Sequence, residues 1–477
     1  MVQSLFLVFF MKKMQRHPLI AGTIVLTVTG LISRIIGFFY RIYLSRLFGE
    51  EGMGIYQLLS PVLALSFSLT AAGYQTAISK FVAEESAREK HASMKPMIAG
   101  LSISIPLSLL CTAVVYSGSE YIASTFLLEP RCASMLRILS FSILPSAVHS
   151  CINGYFYGVK KTGIPAATQL LEQCCRVGCV YALAGYAVAQ GSSPSINVAV
   201  LGLVAGEFFS MLVSVASIYV SCCRSHIPLL SGSKDRVADA SRLLGTNRGQ
   251  NRAANVYRQL LGMALPLTAN RIVLNMLQSV EAVSIPAKLK LYGYDSATAL
   301  SVYGVLTGMA MPLIFFPNAL TNSVSVLLLP IISEAYALGD METVKKSTLR
   351  TVKYCAALGF ICMGGFLLLG RWAGRTLFGS ELAGHFIVTL SFICPFIYLD
   401  TTLSSILQGL GMAGRIFFMN VICLLVRLGF IFYAVPVFGI TGYLWGILAS
   451  QMLLSVLYLG CFFLRNAGRS KKSRRTV

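Results

Sequence analysis

The sequence predicts an all-α polytopic membrane protein of about twelve transmembrane helices, arranged as two six-helix lobes. Three observations lead there. Of the 477 residues, 56% are hydrophobic and only 12% charged, with a mean hydropathy of +0.72; a soluble chain carries about 25% charged residues. Many apolar runs exceed the roughly 18 residues that suggest a membrane span, and they are continuous, which excludes a β-barrel's alternation. The third observation is that the second half repeats the first.

Residues 1–17 read as a short cytoplasmic N-terminus. MVQSLFLVFF is apolar but too short to span, and no small-residue cleavage site follows it; Met11 and Met14 are alternative starts. The expected spans are Pro18–Leu47, Met53–Phe81, Met94–Ser117, Ala133–Tyr157, Ile164–Gln190, Ile196–Cys222, Leu260–Ile285, Ala297–Ile331, Thr351–Leu369, Ala383–Leu407, Ile416–Val437 and Gly439–Leu464. This divides the chain into an N-lobe at 18–222, a cytoplasmic linker at 223–259, a C-lobe at 260–464 and a basic cytoplasmic tail at 465–477.

The net charge of +21 invites a nucleic-acid reading, but its distribution argues otherwise. With the N-terminus inside, cytoplasmic segments and the span ends beside them hold 27 of the 39 basic residues, and outer loops hold five. That bias sets both termini in the cytoplasm. The tail from Arg465 to Arg475 has no interleaved aromatics and suits anionic lipid rather than nucleic acid.

Part of the repeat keeps a single offset. Leu139-Ser-Phe, Gly158 and Gly163 recur as Leu390-Ser-Phe, Gly409 and Gly414, each 251 residues on. Gly202-Leu-Val-Ala-Gly-Glu207 recurs as Gly446-Ile-Leu-Ala-Ser-Gln451, and Glu84 matches Glu334. Each copy has an even number of spans, so the copies insert in the same orientation. That is a parallel repeat about an axis along the membrane normal, and such repeats place the substrate site between the halves.

Enzymatic chemistry has no signature. There is no phosphate-cradling loop, no paired carboxylates at catalytic spacing and no H-E-x-x-H; His17, His91, His149, His226 and His385 are scattered singly. Most of the thirteen cysteines lie in apolar runs as small hydrophobes, and neither Cys174–Cys175 nor Cys222–Cys223 has metal-site spacing. No metal or cofactor is expected.

Ionisable residues inside the spans are therefore the candidates, because charge at membrane depth is costly and defaults to function. Span one carries Arg34 and Arg41, seven residues apart and so near one face, with Arg46 beyond them as an interfacial anchor. Arg34 lies about 24 Å along that helix. Arg271 falls in the first span of the second half. Guanidinium forks match phosphate and carboxylate bidentately, so Arg34, Arg41 and Arg271 are the expected anion-binding residues. Glu172, Arg176, Glu207, Glu281 and Asp400 are candidates for coupling or for ion pairs. Glu172 and Arg176, at i and i+4, can also simply neutralise each other, and Arg427 can reach an interface or pair with Asp400.

Several motifs resemble one family. Leu31-Ile-Ser-Arg34-Ile-Ile-Gly37, Leu47-Phe-Gly-Glu-Glu-Gly-Met-Gly54-Ile-Tyr56-Gln, Thr76-Ala-Ile-Ser-Lys80, Tyr303-Gly-Val-Leu-Thr-Gly-Met-Ala-Met-Pro-Leu and Leu328-Leu-Pro-Ile-Ile-Ser-Glu334 are similar to stage V sporulation protein B-like proteins. These form part of the polysaccharide transporter branch of the multidrug/oligosaccharidyl-lipid/polysaccharide (MOP) flippase superfamily. The resemblance implies two lobes in a V around a central cavity. It also implies a bacterial plasma-membrane location and flipping of undecaprenyl-pyrophosphate-linked saccharides by alternating access, with cell-wall synthases as partners. It places Arg34 where lipid II flippases carry an important first-helix arginine, and Arg271 is a looser match. The two extra C-terminal helices of the best-known lipid II flippases are not present, which leaves the saccharide open. A cation-coupled multidrug exporter and a non-transporting scaffold for cell-wall synthesis are the alternatives.

Overall fold

The computed structural model describes residues 18–88, 94–224 and 247–473, with side chains for 25–86, 94–223, 257–325, 328–329 and 331–464. The expected N-terminal segment, most of the linker and the side chains of the basic tail lie outside these. No strand occurs among the described residues. Helix α1 spans Pro18–Gln57, bent at Gly49, whose φ of 69° favours glycine. Then come α2 (Ser60–Phe67), a π-helical turn (Ser68–Ala72), α3 (Gly73–Arg88) and α4 (Lys95–Ser117). After a π-turn at Ile122–Phe126 follow α5 (Cys132–Ser140), α6 (Ile143–Gly158), α7 (Gly163–Ala189) and α8 (Asn197–Arg224).

The second half opens with α9 (Asn247–Tyr292), then α10 (Ser296–Gly304), a π-turn (Val305–Ala310), α11 (Met311–Phe315) and α12 (Asn318–Ala337). Helix α13 (Met341–Ala373) runs into a π-turn at Gly374–Phe378. It is followed by α14 (Glu381–Leu390), α15 (Cys394–Gly409), α16 (Ala413–Tyr433) and α17 (Ile440–Ser473).

Among the described residues nine helices are long and apolar enough to cross a membrane, and ten if the α5–α6 pair, bent by 42°, is one span. The two expected spans that do not qualify have physical reasons. Met53–Phe81 is cut into α2, a π-turn and α3, none of them long enough. Helix α7 carries Glu172 and Arg176 beside Gln169 and Gln173, which lowers its hydropathy. The expected Ala297–Ile331 span ends early, at the break before α12, where Pro317 cannot donate to the ladder.

Repeat and structure coincide in α6 and α15. Each is sixteen residues long, follows a break, and ends at Gly158 or Gly409. Each is the central helix of its surroundings: α6 packs on α3, α4, α7 and α8, and α15 on α12, α13, α16 and α17. Their apolar faces build separate cores. Cys151, Ile152 and Phe156 pack with Ile78 and Leu260 in one; Leu403, Ile406 and Leu407 pack with Ile332, Tyr458 and Phe462 in the other.

Contacts divide the chain into two units, and the division falls inside both long helices. The first unit takes α1 as far as Ile36, then Val62–Thr125 and Pro130–Asn275; the second takes Gly37–Pro61, Phe126–Glu129 and everything from Met276. The lobes expected at 18–222 and 260–464 take α1 whole and α9 from residue 260 onward. Within the first unit, however, Asn275 on α9 donates to the Ala64 carbonyl at 3.2 Å and to Ser68 Oγ. Within the second, Gly54 on α1 lies so close to α10 that an added Cβ would stand 2.1 Å from the Leu300 carbonyl oxygen.

Candidate functional site

The arginines singled out above divide into partnered and unpartnered. Arg34 and Arg271 are exposed and Arg41 is half-buried. None of the three forms a hydrogen bond or ion pair with a described residue. Arg34 and Arg271 belong to the same contact unit and Arg41 to the other, whereas the repeat led us to expect Arg34 and Arg271 on opposite halves. Arg46 donates to the carbonyl of Leu377 at 2.9 Å and to that of Thr376, so it caps the π-turn after α13. Phe38 meets Phe316 and Phe378 in the same unit.

Four side chains from α6, α7 and α8 form a cluster in the first unit. Arg176 donates to Glu172 at 2.6 Å and lies 3.8 Å from Glu207. Glu207 also holds His149 Nε2 at 3.0 Å. Asn153, one turn along α6, sets its amide nitrogen 3.4 Å from His149 Nδ1. Packing brings them together: a Cβ on Gly206 would stand 3.0 Å from the Glu172 carbonyl oxygen, so glycine there lets α8 lie directly on α7. His149, Glu172 and Glu207 offer ligand atoms within 4.8 Å of one another. Arg176 already supplies that space with a positive charge, and a divalent cation would add two more to two carboxylates. The donor set therefore fits a metal poorly.

In the second unit Arg427 does not pair with Asp400. It donates to Glu281 at 2.8 Å, and Tyr443 donates to the other Glu281 oxygen at 2.5 Å. Asp400 sits on α15, buried, and accepts from Ser455 on α17 at 2.6 Å. Its second oxygen has no hydrogen-bond partner among the described residues. The i, i+4 spacing of Glu172 and Arg176 was legible in the sequence. The Glu281–Arg427 pairing was not, because sequence gives the face of one helix but not the rotation of its neighbour. His149 and Asn153 were missed. Their signal was present, since His149 stands 251 residues before Asp400, the offset of the repeat.

This is the fold of a multi-pass membrane transporter. Its resemblance to solved structures is extensive: an inward-closed structure of the lipid II flippase MurJ aligns with a TM-score of 0.68 at 14% identity, over 92% of this chain and 87% of that one. An inward-facing multidrug resistance MATE family transporter of the MOP superfamily aligns at 0.67 and 15% identity, over 94% and 99%. Among characterised sequences, stage V sporulation protein B of Bacillus subtilis (strain 168) is 29% identical over 448 residues, 93% of this chain and 83% of the relative. The lipid II flippase MurJ of the same organism is 22% identical, covering 96% and 85%. Residues 19–336 match the polysaccharide biosynthesis protein family, and the chain belongs to that family.

Proposed function

We propose that the protein flips undecaprenyl-pyrophosphate-linked saccharides, a peptidoglycan precursor or another surface-polysaccharide unit, across the bacterial plasma membrane by alternating access. It acts as a transporter rather than an enzyme, with both termini in the cytoplasm. The carrying observation is the arginine inventory. Arg176 and Arg427 are neutralised by carboxylates, whereas Arg34 and Arg271, inside long apolar helices, have no hydrogen-bond or ion-pair partner among the described residues. Guanidinium held without a counter-charge at membrane depth is costly unless a ligand or water meets it. A pyrophosphate offers the bidentate oxygens that such forks take. Arg41, on the same helix as Arg34, belongs to the same reading. The names of the relatives, one a lipid II flippase, support the substrate class. A cation-coupled drug exporter of like fold would favour unpaired carboxylates over unpaired arginines on its exposed helix surfaces.

The test is a reconstituted flipping assay with defined lipid-linked sugars. Arg34→Ala abolishes flipping while the protein stays folded in the membrane, and Arg271→Ala slows it at least tenfold. Normal delivery of precursor to the outer leaflet by Arg34→Ala would show the pyrophosphate role to be wrong.

A further inference from the structure

Helices α6 and α15 carry an ionisable group at the same point. His149 is the seventh residue of α6 and Asp400 the seventh of α15, both counted from the helix start. Each bonds to the last helix of its half, His149 to Glu207 on α8 and Asp400 to Ser455 on α17. Both lie at membrane depth: each is nine residues, about 14 Å, from the glycine that ends its helix, roughly half of the 30 Å apolar thickness.

Charge counting singles out these two positions. With Glu172 and Glu207 ionised and Arg176 positive, the first cluster carries one negative charge that no fixed group closes. Glu281 and Arg427 close each other, which leaves Asp400 with no cation within ion-pair distance among the described residues. In each half a single added proton brings the account to neutral, the state favoured away from water. We infer that each half binds one exchangeable proton at this repeated position, through His149 and Glu207 in the first and through Asp400 in the second.

The surroundings fit a proton that comes and goes. His149 and Glu207 side chains keep 13% exposure, enough for exchange. Asn153 can serve either state of the ring: its amide nitrogen donates to a bare Nδ1, while its oxygen, buried and without a hydrogen-bond partner among the described residues, accepts from a protonated one after a flip. The charged groups facing His149 are Glu207, Glu172 and Arg176. Lys80 and Glu84 of α3 pair with each other and, with Glu85, lie at or beyond the level of Gly158, because Gly158 meets Ser79 and Val82. Lys95 of α4 lies toward the same end, since Gly100 meets Ile78 and Ser104 bonds to Thr70. The nearer titratable groups on these helices are Tyr74 and Cys111.

Asp400 is faced by Cys423 of α16, Tyr458 of α17 and, one turn away, Cys355 of α13, which bonds to Thr402. Lys353 and Arg350 on α13 are exposed. Glu334 of α12 lies at the level of Gly409, since Ser333 bonds to the Gly409 carbonyl.

The experiment uses the full chain in lipid nanodiscs. Near pH 7 surface carboxyls are ionised, so a carboxylic C=O infrared band reports a buried acid. Wild type shows that band, and Asp400→Asn, which keeps shape and hydrogen bonding, loses it or retains only a weaker band from the first cluster. In the Asp400→Asn background, histidine 15N spectra and the infrared band together show one further proton at the first cluster, on the imidazole or on a carboxyl. Glu207→Gln, whose cluster closes without it, abolishes that signal. Wild type showing neither proton overturns the inference without any variant. So does Asp400→Asn leaving the band unchanged, or Glu207→Gln leaving the cluster's signal unchanged. Stoichiometric zinc or calcium binding that Glu207→Gln removes also overturns the proton assignment for the first half.

Discussion

Helices α6 and α15 descend from one pattern and occupy matching places, yet they handle buried charge in opposite ways. Around α6 four ionisable side chains from three helices share one network. Around α15 the carboxylate stands with a serine, and the strong pair, Glu281 with Arg427, is built from α9 and α16. A repeat conserves where a charge can be housed more readily than how it is neutralised, because packing is set by the helix backbone and neutralisation by single side chains.

The largest effect that would break this contrast belongs to the closed pair. Arg427→Ala leaves Glu281 buried with only Tyr443, and should cost about 3–5 kcal/mol, read as lost thermal stability in detergent. If it costs less than Arg176→Ala, the pair in the second unit is not the closed one. A smaller change is expected at the helix contact that assembles the first network. Gly206→Val must push α8 from α7, costing about 1–3 kcal/mol, and the 3.8 Å Arg176–Glu207 approach should be lost, so the 15N signal of His149 should shift. An unshifted signal would mean that the network does not depend on that close approach.

The smallest effect concerns helix starts. Helices α4, α6 and α7 begin without a side-chain cap, whereas Asp295 and Asp340 accept backbone N–H groups at the starts of α10 and α13. Bonds from Thr298 and Thr343 hold these two carboxyls below the usual carboxylate range. Their contribution is then present above the unfolded value of about 3.9 and lost as pH falls through the folded one. Asp340→Ala should lower the melting temperature at neutral pH, and the gap to wild type should close as the pH is lowered toward 3. A gap that persists in acid would exclude the charge-assisted cap.

Much of the architecture was legible because long apolar runs and a fixed offset survive any local irregularity. The breaks were not. A π-turn such as Ser68–Ala72 has no residue signature, and it divided a span that composition alone made continuous. At the candidate site the sequence named Glu172, Arg176 and Glu207, three of the four side chains that meet between α6, α7 and α8. It left Arg427 to reach an interface or to pair with Asp400, and only the rotation of α16 toward α9 shows that Glu281 takes it. His149 was passed over as a lone histidine, although the offset that pairs Gly158 with Gly409 pairs it with Asp400.

The π-turns carry a consequence for how such a chain changes length. Each is a place where a helix holds one residue more than its ladder needs. A single codon gained or lost there alters the register of everything downstream within the helix without opening a loop at membrane depth, where loose backbone is forbidden. The turns at Ile122–Phe126 and Gly374–Phe378 precede the two central helices. They are the points at which either half can be re-indexed by one residue while α6 and α15 keep their places.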